Sequence, residues 1–179
     1  MSFKLPQEWR AGVPSTVEEL VALRACESVV IEFCARIDAG DVSGAMDLST
    51  DDIQMYDISR PEPLDGRGAM EARLQKVRFA YEDREVFHVP SNFRGQLVEP
   101  GLVQGSFHIA LYDLVRIPGR RGIGSKSTEF LGFAYEEVLF RLEEGVWKFS
   151  VRKMRFISGA KALPIGTLPK NAVFEELER

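Results

Sequence analysis

Asp38 and His88 are the residues on which chemistry would turn. The chain holds only two histidines, His88 and His108, so few imidazoles are available as a general base near neutral pH. An aspartate bonded to one ring nitrogen fixes the tautomer and makes the other nitrogen a better base. Alone, each residue has an ordinary structural reading. Asp38 lies in Ile37-Asp38-Ala39-Gly40-Asp41, where an aspartate commonly bonds nearby backbone in a turn. At a helix C-terminus the macrodipole disfavours its charge by about 0.3–1 kcal/mol. His88 sits among Val86, Phe87, Val89 and Pro90, the setting of a packed core histidine. The pair becomes catalytic only if the fold sets the two side by side.

Other chemistry-bearing patterns fail on their context. Gly119 to Ser127 resembles a phosphate-binding P-loop, but Ser125 intrudes before Lys126. A strand pattern follows it, where the P-loop needs a helix N-terminus. The basic residues Arg116, Arg120, Arg121 and Lys126 make this loop either a solvated turn or an anion-steering surface. Two histidines and a carboxylate would suffice for a metal site, yet the spacing matches no compact ligand motif. There is no zinc-spaced cysteine pair, no dinucleotide turn and no nucleophile elbow. No metal and no cofactor are expected.

The elements that must position Asp38 and His88 can be read from periodicity. Ser15-Thr16-Val17-Glu18 has the form of a capping box with Ser15 as the cap. Leu20, Leu23, Cys26, Val30, Phe33 and Ile37 then form one helical stripe. Gly40 suits the left-handed position past the helix end, and Asp41 can cap a short second helix through Met46 and Leu48. Ile53 to Ile58 reads as a strand, Ser59 to Gly68 as a loop, and Ala69 to Ala80 as a third helix. Beyond it lie two strand pairs, 85–98 with 102–116 and 126–142 with 146–157, joined by Glu99-Pro100-Gly101 and Glu143-Glu144-Gly145. Helices followed by a meander of strands imply an α+β fold. An arm (1–14) precedes the domain (15–157), and a tail (158–179) follows it over the surface or a partner.

Alternation places Val103, Phe107, Ile109, Leu111 and Val115 on the face of Asp113, the apolar side. His108 and Tyr112 then point toward solvent or a subunit interface. Asn92 shares a face with His88 and is placed to bond a substrate oxygen. Phe130, Phe133, Tyr135, Phe140 and Trp147 read as sheet-packing residues whose rings would favour an apolar ligand.

Composition narrows the classes. The 179 residues are 45% hydrophobic and 28% charged with net charge −4, which fits one globular domain and argues against a general nucleic-acid binder. Cys26 and Cys34 lie about 12 Å apart along one helix, too far for a disulfide. No apolar run reaches the ~18 residues of a membrane span, and the N-terminal residues lack a signal-peptide core. A cytoplasmic protein is expected.

Four segments in order resemble the SnoaL-like branch of the nuclear transport factor 2-like superfamily across about residues 20–157. They are Ile37-Asp38-Ala39-Gly40-Asp41, Asp65-Gly66-Arg67-Gly68-Ala69-Met70, Phe87-His88-Val89-Pro90-Ser91-Asn92 and Gly145-Val146-Trp147-Lys148-Phe149. The resemblance implies a cone-shaped α+β barrel whose curved antiparallel sheet wraps the N-terminal helices. Asp38 and His88 fall where scytalone dehydratase, bile-acid dehydratases and hexachlorocyclohexane dehydrochlorinases carry an Asp–His pair, with His88 as base and Asp38 as its orienter. Tyr56 resembles a dehydratase tyrosine that polarises the substrate. Asp113 replaces a second histidine of scytalone dehydratase, and Phe33 a tyrosine of several dehydratases.

The resemblance therefore implies a cofactor-independent dehydratase- or isomerase-type lyase for a small cyclic or polyketide-like hydrophobic molecule. Asn92, Asp113 and Phe33 would line its site, and a homodimer or homotrimer is expected. Two rivals come from the same superfamily. One is a non-catalytic ligand-binding or assembly subunit, like the small subunit of ring-hydroxylating dioxygenases. The other is an epoxide hydrolase using Asp38, Asp113 and a cation such as Arg36 or Arg84.

Overall fold

The computed structural model describes residues 14–57, 62–80, 85–116 and 126–158. Arg84, residues 117–125 of the basic loop and nearly all of the arm and tail lie outside them. The first helix, α1 (Val17–Asp38), is capped by Thr16, whose side chain accepts from the Glu19 N–H at 3.1 Å. Glu19 in turn accepts from the Ser15 N–H and hydroxyl at 2.7 and 2.9 Å. The cap therefore stands one residue later than expected, because Thr16 is the last extended residue (φ −139°) and Glu19 is the one that reaches back. Leu20 is 47% exposed, and the buried stripe runs instead through Leu23, Cys26, Val30 and Phe33 with Val29 and Cys34 beside them.

The other end of α1 closes in a Schellman arrangement. The Gly40 N–H donates to Ile37 at 3.0 Å and the Asp41 N–H to Arg36 at 2.8 Å, with Gly40 at φ +80°. This sharp stop leaves Asp38 as the last helical residue. Asp41 then caps α2 (Val42–Met46) through the Gly44 N–H at 2.9 Å.

The remaining elements are β1 (Ser49–Asp57), β2 (Leu64–Asp65), α3 (Arg67–Ala80), β3 (Glu85–Glu99), β4 (Leu102–Arg116), β5 (Lys126–Glu143) and β6 (Val146–Ser158). They form one six-stranded curved sheet in the order β2-β1-β6-β5-β4-β3. The two hairpin turns are those read from the sequence, with Gly101, Glu144 and Gly145 at positive φ. The sheet is mixed rather than purely antiparallel, because β1 lies parallel to β6. The short β2, expected as loop, pairs antiparallel with β1 at Gln54–Asp65 and Met55–Leu64. Helix α1 lies against β3 so closely that a Cβ at Gly95 would stand 2.7 Å from the Leu23 side chain.

The inward face of the sheet divides along its strands. Toward the two hairpin turns it is packed solid, with Val103, Phe107, Val138, Phe140 and Phe149 all buried. There Phe149 meets Phe33 edge-on at 5.5 Å and Phe140 at 4.7 Å. Toward the other ends of the same strands the inward residues are Val86 and His88, Ile109 and Leu111, Ala134 and Glu136, and Met154 and Phe156, and here the filling stops.

Candidate active site

The unfilled end is a cavity of about 150 Å³ bounded by the sheet and all three helices. An apolar cavity of that size admits a benzene-sized ligand. Its wall is mostly hydrocarbon, including Phe33, Ile37, Leu74 and Met154, and both Asp38 and His88 line it.

The end of α1 brings Asp38 against β3. Asp38 Oδ1 lies 2.6 Å from His88 Nδ1, and the carboxylate also accepts the His88 backbone N–H at 3.0 and 3.2 Å. A carboxylate can only accept, so Nδ1 carries a proton, and whenever the ring is neutral it is Nε2 that keeps the lone pair. These donors offset the unfavourable position of a carboxylate at a helix C-terminus. Both side chains stay partly accessible, His88 at 27% and Asp38 at 15%, as groups facing a reachable cavity should. Alternation delivers His88: Val86, His88 and Pro90 are half-buried while Glu85, Phe87 and Val89 are exposed.

The structure moves several expected site residues away. Asn92 adopts φ +54° in a bulge where Asn92 and Phe93 together face Phe107. The bulge swaps the strand's faces, so Asn92 is exposed and Phe93 turns inward onto Phe140 at 6.1 Å. Tyr56 also misses the cavity. Its neighbours Ile53 and Met55 point inward, and the Tyr56 hydroxyl donates to Gln54 on the opposite face at 3.3 Å. Asp113 is buried on the expected inward face but lies beyond the cavity wall, which ends on β4 at Leu111. The β4–β5 irregularity adds its extra residue, Leu131, to β5, so β4 keeps its alternation. Phe33 is in the wall. Of the aromatics expected around the cavity, Phe133 stacks on His108 and Tyr135 lies tilted against it, both on the other face.

Sequence reasoning missed a second polar pair in the wall. Arg152 of β6 donates through Nε and Nη2 to both carboxylate oxygens of Glu136 on β5, at 2.8 to 2.9 Å. The side chains are 5% and 1% exposed. The guanidinium lies over the Phe33 ring, 4.2 Å from its centre. The available signal was a glutamate and an arginine at inward positions of strands that are otherwise apolar on that side.

Cys34 also borders the cavity, but burial pushes its thiol up to about 12, which makes it a poor nucleophile. Arg36 faces elsewhere, bonded to Glu32 and the Gly44 carbonyl at 2.7 Å each. Among the described residues no three His, Cys, Asp or Glu side chains are grouped as metal ligands. No described helix is long and apolar enough to cross a membrane.

No protein-family model matches the sequence, and no curated protein sequence matches it significantly. Solved structures do. A candidate scytalone dehydratase from Novosphingobium aromaticivorans superposes with TM-score 0.63 at 17% identity, covering 78% of this chain and 86% of that one. An NTF2-like protein with a cystatin-like fold from the same organism gives 0.61 at 15% identity, covering 86% and 98%. A candidate dehydratase of the NTF2-like family from Streptomyces avermitilis gives 0.63 at 11% identity, covering 78% and 99%. At these identities the likeness is one of fold. The chain has the cone-shaped α+β fold of the NTF2-like superfamily.

Proposed function

We propose that this protein is a cofactor-independent lyase or isomerase of the dehydratase type, acting on a small, largely apolar cyclic molecule. The observation that carries the reading is the 2.6 Å contact between Asp38 and His88 Nδ1 in the wall of an apolar cavity. The solved structures of similar fold include two named as candidate dehydratases, which agrees with it.

In this mechanism His88 Nε2 removes a proton from a carbon next to a carbonyl. The C–H electron pair becomes a carbon–carbon double bond as the C–O bond to the neighbouring hydroxyl breaks. The departing oxygen takes the proton back from His88, water leaves and the imidazole is neutral again. Asp38 holds the ring and offsets its positive charge while the proton is in transit. If no leaving group is present, returning the proton to a different carbon completes an isomerisation.

The test is 3-hydroxycyclohexanone, whose loss of water creates an absorbing enone. Wild-type protein should accelerate that loss, and the His88→Ala variant should retain the fold yet lose about 10²–10⁴-fold of the rate. Binding of cyclic ketones with neither water loss nor exchange of their α-protons into D₂O would instead make the protein a ligand-binding module.

A further inference from the structure

The cavity holds a cation that is already neutralised. Both oxygens of Glu136 are occupied by Nε and Nη2 of Arg152, and the third guanidinium nitrogen, Nη1, takes no part in that pairing. Arg73, the other guanidinium in the wall, is engaged in an interaction of its own. The wall thus carries two carboxylates, Asp38 and Glu136, and two guanidinium groups, Arg73 and Arg152. Its formal charge is zero with His88 neutral. A carboxylate ligand entering here would shed its hydration, meet Glu136 and Asp38, and find no uncompensated cation. A neutral oxygen acceptor meets no such obstacle, because Nη1 can donate to it while Glu136 keeps its own bonds.

We propose that the Glu136–Arg152 pair is a specificity device: it offers a hydrogen bond to an uncharged carbonyl or hydroxyl oxygen and excludes carboxylates from the cavity. Glu136 is the deciding residue, since it cancels the charge that would otherwise attract an anion. The inference rests on reading the cavity as a small-molecule site, but it needs no turnover.

Acetophenone and benzoate test it, because they differ by little more than a methyl group against a charged oxygen. Calorimetric titration of the full chain at neutral pH should give at least tenfold tighter binding of acetophenone. Glu136→Gln, which keeps the shape and leaves Arg152 charged, should narrow that ratio at least tenfold or reverse it. Arg152→Gln supplies a second reading should Glu136→Gln not fold; acetophenone should bind several-fold more weakly, with benzoate still disfavoured. Benzoate binding as tightly as acetophenone to wild type, or an unchanged ratio in folded Glu136→Gln, overturns the proposal while leaving the small-molecule site intact. Failure of wild type to bind either compound overturns both together.

Discussion

Two polar pairs share one hydrocarbon chamber, and they are built differently. Asp38 and His88 meet across a helix end and a strand, both partly accessible, with one ring nitrogen bonded and the other left over. Glu136 and Arg152 meet across adjacent strands, almost wholly enclosed, with both carboxylate oxygens engaged. The first arrangement suits a group that exchanges protons with a visitor. The second suits a fixed fixture whose charges never part, since separating a buried pair strands an uncompensated ion.

Removing the imidazole should produce the largest effect. His88→Ala is expected to lower dehydration of 3-hydroxycyclohexanone by about 10²–10⁴-fold with little change in thermal midpoint, because the ring fronts a cavity rather than filling the core. Breaking the other pair should reverse that profile. Glu136→Gln is expected to cost about 3–5 kcal/mol of stability, measured by urea unfolding, whereas replacing Glu136 and Arg152 together by leucine and methionine should be near neutral. Asp38→Asn lies between the two. It keeps an acceptor near Nδ1 but loses the charge, so turnover should fall about 10–100-fold with less loss of stability than Glu136→Gln.

The smallest effects sharpen the contrast by showing what lies outside it. Tyr56→Phe and Asn92→Gly should leave turnover within about twofold, because neither side chain reaches the cavity. Asn92→Gly should also hold or slightly raise stability, since glycine adopts φ +54° more readily than asparagine.

Particular residues explain which features the sequence discloses and which it hides. The strands from Glu85 onward are readable because their lengths are delimited by two turns whose residues favour positive φ. Gly40 announces the end of α1 and so the position of Asp38. Asn92 was misplaced because a bulge leaves no mark in a strict two-residue alternation, and one extra residue exchanges the faces beyond it. The parallel pairing of β1 with β6 is hidden because it is a long-range choice that no local turn encodes. Tyr56 failed for another reason: its role came from resemblance, although Ile53 and Met55 already assigned the inward face to their own positions. Glu136 and Arg152 escape notice because each reads as a solvated strand residue until its inward position is known.

The proposed chemistry requires that Asp38 hold the His88 proton on Nδ1 and leave Nε2 free to act as a base. With two histidines in the chain, nitrogen-15 NMR of the imidazoles, assigned by comparison with a His88→Gln variant, reads this directly. The expected spectrum is that of a neutral His88 ring protonated at Nδ1 and bare at Nε2, with that preference weakened in Asp38→Asn. A His88 ring protonated at Nε2 and bare at Nδ1 in the wild-type protein would refute it.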